Sequence, residues 1–332
     1  MSRRASIGVL FAFVACVAKP PPRGDFAADP VLLADVKRAI AELGPGTRAA
    51  IWLSPPRGEP LLAINVDQPM PVASAVKAAY LVELFASLPD GLDLPLPNAT
   101  AVLRNEKHPA VAHFSPAQRA TAEQALGNAS VRRIAEAMIT GKGVDNATYN
   151  LAANLVTAHF GGPAWLEAKL HARDPAWQGL HVRRYMLADR KVSGDNEATA
   201  RSLAAVHGDL ALAKVPGVDA RTVAAARAIL ARPADAASRA VFAKGGSLDS
   251  DPVTRVEAGW HEGPDQTLVH VVMLAQDNVP STERPAAGQH LGNAARSIET
   301  MLLGTSPRSG GWMRRSAGSW VAPRRWELLR AR

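Results

Sequence analysis

The chain has 332 residues and contains a single cysteine, Cys16. One thiol excludes an internal disulfide framework, a zinc site built from several cysteines and a Cys-x-x-Cys redox centre. Aromatic residues make up only 5% of the chain, which argues against an RNA-binding surface that stacks bases on aromatic rings. The chain is nevertheless 47% hydrophobic, so it is long and apolar enough to bury one large core or two smaller ones.

The body of the chain also lacks net charge, although the whole sequence carries +8. Residues 1–18 contribute two arginines and no acid, and residues 307–332 contribute seven arginines against one glutamate. Residues 19–306 therefore hold 29 basic and 29 acidic side chains. A neutral body presents no basic face, so we expect no nucleic-acid partner.

The N-terminus has the pattern of an export signal, predicted over residues 1–18. Arg3 and Arg4 precede an apolar run, Ala5 to Ala18, which is too short to cross a membrane as a lasting anchor. Cys16 at the end of that run resembles the lipidated cysteine of a bacterial lipobox, and cleavage after Ala18 is the alternative. We expect an exported protein of the periplasm or cell envelope, with or without a lipid anchor. The proline-rich residues 19–30 are predicted to form a stiff tether.

The remaining chain alternates between strand and helix patterns at its two ends and is helical in between. The predicted strands span 47–53, 61–66, 241–244, 253–258 and 268–274, and the predicted helices at the ends span 31–43, 75–88 and 294–303. This order predicts an α/β plus all-α fold, with an antiparallel sheet flanked by helices. We expect a discontinuous α/β domain (31–72 and 215–305) interrupted by a helical domain (73–214).

The segment after this, residues 306–332, is basic and contains three of the seven tryptophans, Trp312, Trp320 and Trp326. It shows no sustained period and is predicted to be disordered. The alternative is a surface anchor for an anionic membrane or wall polymer.

The strongest local pattern is Ser74-Ala75-Val76-Lys77 at the head of an apolar helix. Residues three apart share one helix face, so the hydroxyl and the amine can meet. A serine hydroxyl becomes a good nucleophile only when a base takes its proton. Lysine can be that base where burial and a second cation lower its pKa.

The run Pro71 to Lys77 resembles the first motif of class A β-lactamases and related penicillin-recognising serine hydrolases. Their second motif, Ser-x-Asn on a loop between helices, has two candidates here, Val144-Asp145-Asn146 and Thr148-Tyr149-Asn150. The distance to the family's Gly-Gly-Pro, at residues 161–163, favours the second. The resemblance implies that Thr148 relays a proton and that Asn150 contacts the substrate.

The third motif, Lys-Thr/Ser-Gly on an inner strand, is similar to Lys244-Gly245-Gly246. The resemblance makes Lys244 the cation that lowers the pKa of Lys77 and attracts a substrate carboxylate. Gly245 lacks the usual hydroxyl, and Gly246 keeps the motif's glycine. The amide of Ser247 would complete an oxyanion site with the amide of Ser74.

A second cation, Arg255 on the next predicted strand, has two interpretations. It either replaces the carboxylate contact that Gly245 cannot make, or it is an ordinary solvated arginine.

The glutamate that activates the deacylating water in class A β-lactamases has no counterpart here. Counting from Gly161 without a gap places Arg184 at its position. The family's loop-closing ion pair would correspond to Arg183 with Glu197. Asp189 is the nearest substitute for the base, and only if the loop shifts.

The resemblance, over residues 31–303, implies a monomeric serine hydrolase that forms an acyl-enzyme with β-lactams or D-alanyl-type amides and esters of peptidoglycan. It implies no cofactor and no metal, and the missing glutamate predicts slow deacylation. Membrane association would come only through Cys16 or the basic tail. The alternative is a cell-wall or protein-binding module that keeps the fold without catalysis, since Arg184 and Gly245 both weaken the family's machinery.

Overall fold

The computed structural model of the chain describes residues 24–304. The predicted export signal with Cys16 and the predicted basic tail lie outside the described residues. The α-helices of the described part are α1 (Pro30–Ala41), α2 (Lys77–Ser87), α3 (Ala99–Arg104), α4 (Pro116–Leu126), α5 (Val131–Thr140), α6 (Asn146–His159), α7 (Pro163–Arg173), α8 (Arg190–Ser193), α9 (Ala200–Ala211), α10 (Ala220–Leu230) and α11 (Arg284–Gly304).

The strands form one large and one small antiparallel sheet. They are β1 (Phe26–Ala27), β2 (Thr47–Ser54), β3 (Leu62–Ile64), β4 (Met70–Pro71), β5 (Leu180–His181), β6 (Glu197–Ala198), β7 (Ala231–Arg232), β8 (Ala240–Ala243), β9 (Gly246–Leu248), β10 (Val253–Glu262) and β11 (Thr267–Gln276). The large sheet has the order β1-β3-β2-β11-β10-β8-β7, and β9 also pairs with β10. The small sheet has the order β4-β6-β5.

The large sheet is covered on both faces, because residues alternate between two apolar cores along its central strands. On β11, Val271 and Met273 face the helical layer, whereas Val272 and Leu274 face α1 and α11. A central strand buried on both faces has to be apolar throughout. This explains the nearly continuous hydrophobic run at residues 268–274.

Helix α2 lies at the centre of the helical layer and has an all-round apolar surface, as expected for a buried helix. Every residue from Lys77 to Phe85 is buried. Around it pack α5, α6, α7, α9 and α10. A lysine at the first position of such a helix must place its amine inside the protein, so the fold itself positions Lys77.

The predicted fold class is confirmed, with differences at element ends. The last helix, predicted from residue 294, begins ten residues earlier at Arg284, because its first part carries the small residues that pack beneath β10. The predicted division at residue 214 stays a prediction, although α10 packs against α2 and α5 of the helical layer. Among the described residues, no helix combines the length and apolarity needed to cross a membrane.

The predicted tether ends earlier than expected. Phe26 and Ala27 pair with β3 as an edge strand. Asp29 then caps α1 by accepting a hydrogen bond from the amide of Val31 at 2.9 Å. Residues 26–30, which the tether prediction included, are therefore part of the folded domain. The sequence pattern missed them because a two-residue edge strand has no measurable period.

Candidate active site

Ser74 lies in a single 3₁₀ turn, Ala73–Val76, that leads directly into α2. The side chain is half-buried, while its neighbours Ala73 and Ala75 are buried. Ala73 has a φ of 49°, a left-handed conformation that costs a residue with a Cβ roughly 1–2 kcal/mol. Strain of this kind clusters at functional sites, where surrounding structure holds it in place. Here it fixes the sharp turn that presents Ser74.

Lys77 follows one turn later, and its side chain is fully buried. Its Nζ donates a hydrogen bond to Oδ1 of Asn150 at 3.1 Å. The same atom lies 3.3 Å from the centre of the Tyr149 ring. The amine is therefore held between α2 and α6 by one polar contact and one aromatic face.

The environment of Lys77 favours the neutral amine. Burial lowers the pKa of Lys77 well below its usual 10.5, and the charge of Lys244 lowers the pKa further. Desolvation penalises the charged form of any buried amine, and a nearby like charge adds to that penalty. A neutral amine is able to accept a proton, which the charged form is not.

The Thr148 and Asn150 pair lies in α6 and not on the loop that the sequence resemblance implied. Asp145 caps the helix by accepting the amide hydrogen of Thr148 at 2.7 Å, so α6 begins at Asn146. Thr148 Oγ1 is buried, and its hydroxyl lies near the Asp145 carboxylate and helps to lower the pKa of that group. Asn150 donates from Nδ2 to the carbonyl oxygen of Asn146 at 2.9 Å, which directs its Oδ1 toward Lys77.

Lys244 and Gly245 lie at the break between β8 and β9, on the strand edge beside α2. Lys244 is 8% exposed, and its Nζ donates to the carbonyl oxygen of Gly245 at 2.8 Å. It lies 5.5 Å from the centre of the Tyr149 ring. Both lysine amines therefore approach the ring of Tyr149.

Gly246 makes the closest contact between the sheet and the Ser74 turn. A Cβ at this position would lie 2.8 Å from the amide nitrogens of Ser74 and Ala75. Side chains do not tolerate such a distance to backbone, so only glycine fits here. This contact sets the strand that carries Ser247 beside the amide of Ser74.

Gly245 is a glycine for a different reason. A Cβ there would meet Oε2 of Glu257 and the carbonyl oxygen of Val256, each at 2.9 Å. Burial raises the pKa of Glu257, and the charge of Glu299 raises it further. The space that a threonine or serine would need is thus filled by a carboxyl group from β10.

The side chain of Arg255 points away from Lys77 and Lys244. Its side chain packs beneath α11 against Gly288 and Gly292, and its Nη2 pairs with Oδ1 of Asp249 at 2.6 Å. Val256, the next residue, faces the helical layer, so strand alternation puts Arg255 on the opposite face. The backbone of Arg255 pairs with that of Ser247 across β10 and β9, but its side chain lies against α11, away from Lys77 and Lys244.

The loop between α7 and α9 holds an ion-pair network at the position of the expected glutamate. Arg184 Nη2 pairs with Oδ1 of Asp195 at 2.6 Å, and Arg183 pairs with Glu197 at 2.8 Å. Asp189 is exposed and caps α8 through the amide of Lys191 at 2.9 Å. The Arg183–Glu197 pair forms as the resemblance implied, whereas Asp189 is engaged as a helix cap.

No family model and no curated protein matches the sequence. Solved structures match at low identity. A β-lactamase from Burkholderia vietnamiensis is 20% identical with a TM-score of 0.59, over 85% of this chain and 98% of that chain. PBP-A is 19% identical with a TM-score of 0.58, over 86% of this chain and 99% of that chain. The chain has the β-lactamase-like fold. The resemblance found in the sequence is thereby confirmed at the level of fold.

The sequence did not predict two features of this site in the β-lactamase-like fold. The contact of the Tyr149 ring with Lys77 was missed because the middle residue of a Ser-x-Asn pattern carries no expectation of its own. The start of α6 was missed as well. An aspartate before a helical run is a common N-cap, so Asp145 could have predicted that Thr148 and Asn150 are helical.

Metal-binding side chains occur in two clusters of the described residues. Neither cluster includes a residue of the Ser74 group, which consists of Ser74, Lys77, Thr148, Asn150 and Lys244. Glu167, His171 and His181 form a half-exposed cluster beside the α7 surface. His261, His270 and Glu299 form a cluster with two buried members on the far face of the large sheet.

Proposed function

We propose that this chain is a serine hydrolase of the β-lactamase type, which forms an acyl-enzyme on Ser74 with β-lactams or D-alanyl-type amides and esters. The observation that carries the proposal is the placement of Lys77. A buried amine with a lowered pKa lies one helical turn after a half-buried serine, between Asn150 and the second cation Lys244. Structural lysines are normally exposed and charged, so this placement points to a base.

In the proposed acylation, the Oγ of Ser74 attacks the carbonyl carbon of the substrate. Neutral Lys77 accepts the hydroxyl proton as the new C–O bond forms. The carbonyl oxygen becomes an oxyanion, and the amides of Ser74 and Ser247 donate to it. The close approach of Gly246 to the amides of Ser74 and Ala75 in the 3₁₀ turn supports this role, because it places the strand that carries Ser247 next to Ser74.

Collapse of the tetrahedral intermediate breaks the carbonyl C–N or C–O bond of the substrate. The leaving atom needs a proton, which the hydroxyl of Thr148 relays from Lys77. The burial of Thr148 Oγ1 beside the Asp145 carboxylate supports this relay, because a hydroxyl both donates and accepts and can rotate between partners. The products of this stage are a Ser74 ester and a neutral leaving group.

Deacylation is the weak step of the proposed cycle. Water must attack the ester, and the loop position where the family has its glutamate carries Arg184, ion-paired with Asp195. An arginine does not accept a proton at working pH. Loss of a well-placed general base slows its step by about 10²–10⁴-fold, so we expect the acyl-enzyme to accumulate.

The substrate class is proposed from the fold and the charge of the site. One solved structure similar to this chain, 20% identical with a TM-score of 0.54, is a variant of PBP-A in an acyl-enzyme complex with penicillin G. Lys244, two residues before the glycine that contacts the Ser74 turn, would offer a cation for a substrate carboxylate. We also propose that the chain acts outside the cytoplasm, on the strength of the signal-like sequence in residues 1–18.

The test is intact-mass spectrometry of the protein during incubation with benzylpenicillin. We expect a mass increase of one penicillin that persists for many minutes and is absent in Ser74→Ala. Ser281→Ala removes an exposed serine outside the site and serves as the matched control that keeps the adduct.

An adduct that disappears while the hydrolysed drug accumulates would keep Ser74 as nucleophile and overturn the prediction of slow deacylation. Absence of any adduct with penicillin, with D-alanyl peptides and with simple esters would overturn the enzyme proposal. The non-catalytic binding module would then be the better interpretation, and unchanged ligand binding by Ser74→Ala would support it.

A further inference from the structure

A buried cluster of two histidines and a glutamate lies on the face of the large sheet opposite Ser74. His261 and His270 come from the neighbouring strands β10 and β11 and are 4% and 1% exposed. Glu299 comes from α11, which covers this face. The Nε2 atoms of both rings approach the same oxygen, Glu299 Oε1, at 3.7 Å for His261 and 3.0 Å for His270.

The hydrogen bonds around His261 orient its ring. Oδ2 of Asp235 accepts from Nδ1 of His261 at 2.9 Å and from Nε of Arg239 at 2.7 Å. The proton of a neutral ring therefore resides on Nδ1, and Nε2 presents a lone pair toward the Glu299 carboxylate. Histidine ligands of metals are commonly fixed by such a second carboxylate.

Three buried ring nitrogens of this cluster have no hydrogen-bond partner among the described residues. They are Nε2 of His261 and both nitrogens of His270. His270 Nε2 lies 3.0 Å from Glu299 Oε1, a contact that is an ion pair only when the ring is protonated. An unsatisfied buried polar group costs about 1–3 kcal/mol, and one shared ligand would satisfy both rings and the carboxylate.

The spacing matches a cation placed between them. Zinc binds histidine nitrogen and carboxylate oxygen at about 2.0–2.2 Å, and a tetrahedral angle between two such bonds separates nitrogen and oxygen by about 3.3 Å. The observed 3.0 and 3.7 Å lie on either side of that value.

We propose that His261 Nε2, His270 Nε2 and the Glu299 carboxylate bind one Zn²⁺ ion, with Asp235 as the outer partner of His261. Two imidazoles and one carboxylate suit zinc and its transition-metal neighbours, whereas Mg²⁺ and Ca²⁺ require oxygen ligands. The Glu299 side chain is 23% exposed, so it provides the entry path and leaves room for water as a further ligand.

The proposed ion is structural. It ties α11 to the central strands β10 and β11, and the sheet separates it from the Ser74 group. Binding to the folded state alone raises the unfolding temperature by mass action. Acylation of Ser74 is expected to be the same with and without the metal, so this proposal and the proposed function succeed or fail independently.

The test is a Zn²⁺ titration of the untagged, chelator-stripped full chain against a chromophoric chelator. We expect one tight equivalent, a higher unfolding temperature with Zn²⁺ and no such shift with Mg²⁺. His261→Gln and His270→Gln are each expected to lose that equivalent. The double variant His171→Gln/His181→Gln removes the half-exposed cluster on α7 and is expected to keep the tight zinc equivalent.

Two further measurements keep the test decisive if a buried histidine variant fails to fold. Glu299→Gln preserves the shape of a more exposed ligand and is expected to weaken binding at least tenfold. Co²⁺ bound to the wild-type chain should give the intense visible absorption bands that are typical of cobalt with a low coordination number. Absence of a tight equivalent in the wild type, or its loss only in His171→Gln/His181→Gln, would overturn the proposal and leave a protonated His–Glu pair in its place.

Discussion

The amine of Lys77 lies 3.3 Å from the centre of the Tyr149 ring. The ring's negative face favours a charged amine by about 0.5–2 kcal/mol. Burial and the charge of Lys244 act in the opposite direction and lower the pKa of Lys77 well below its usual value. Tyr149 therefore moderates the basicity of the proposed general base, and its effect is separable from that of the phenol hydroxyl.

Replacement of the Tyr149 ring is expected to move the pH dependence of acylation. The rate rises with pH as Lys77 loses its proton, because only the neutral amine accepts the proton of Ser74. In Tyr149→Leu the favourable ring contact with the charged amine is lost, so the rise should move about 0.5–1 pH unit lower. Single-turnover acylation by benzylpenicillin across pH measures it.

Tyr149→Phe is the matched control, since it keeps the ring and removes only the hydroxyl. Its profile should coincide with that of the wild type. An equal displacement in the Phe variant would assign the effect to the hydroxyl and contradict a role for the ring.

Removal of the Lys244 charge is expected to shift the pH dependence of acylation in the opposite direction. The charge of Lys244 contributes to the lowered pKa of Lys77, so Lys244→Gln should raise that pKa and move the acidic limb of the acylation profile to higher pH. Loss of the carboxylate contact should also weaken substrate capture. Lys142→Gln changes an exposed lysine and should leave the profile in place. A Lys244→Gln profile that moves to lower pH would contradict the electrostatic assignment.

Gly246→Ala is expected to damage both stability and acylation. Its Cβ would lie 2.8 Å from the amides of Ser74 and Ala75, so either the strand or the 3₁₀ turn must shift. Overpacking of this kind costs about 1–3 kcal/mol, and urea unfolding measures it. Gly91→Ala, whose Cβ would have only ordinary contacts at 3.7 Å, is the control. A fully active and stable Gly246→Ala would show that the contact does not position the nucleophile.

Restoring the family's hydroxyl at position 245 is expected to fail in the native background. In Gly245→Thr the Cβ would meet Glu257 Oε2 and the backbone of Val256 at 2.9 Å, so we expect a loss of about 1–3 kcal/mol and no faster acylation. Gly245→Thr/Glu257→Ala removes one of the two clashes and should regain part of the stability. If the single variant is as stable as the wild type, the contact with Glu257 is not the reason that position 245 is a glycine.

The sequence predicted the parts of this site that local spacing encodes. Each of these intervals lies within one continuous segment of the chain. They are the three-residue interval from Ser74 to Lys77 and the register from Asn150 to Gly161. Arg255 could not be placed in the same way, because its face depends on the pairing of β10 with β9 and on the cover of α11. The Gly245–Glu257 contact is likewise set across two strands, and no periodicity within either strand reports it.

The ion pair between Glu83 and Arg173 is expected to contribute strongly to stability, because it joins α2 to α7 inside the helical layer. Arg173 Nε and Nη2 donate to the two carboxylate oxygens of Glu83 at 2.7 and 2.9 Å, and Glu83 is 2% exposed. Glu83→Ala leaves the guanidinium without its partner and should cost about 3–5 kcal/mol in urea unfolding. Asp93→Ala breaks the exposed pair with Arg132 and should cost about 1 kcal/mol or less. Equal losses in the two variants would show that Glu83 contributes no more than a surface charge, and that apolar packing alone holds α2 in the position that buries Lys77.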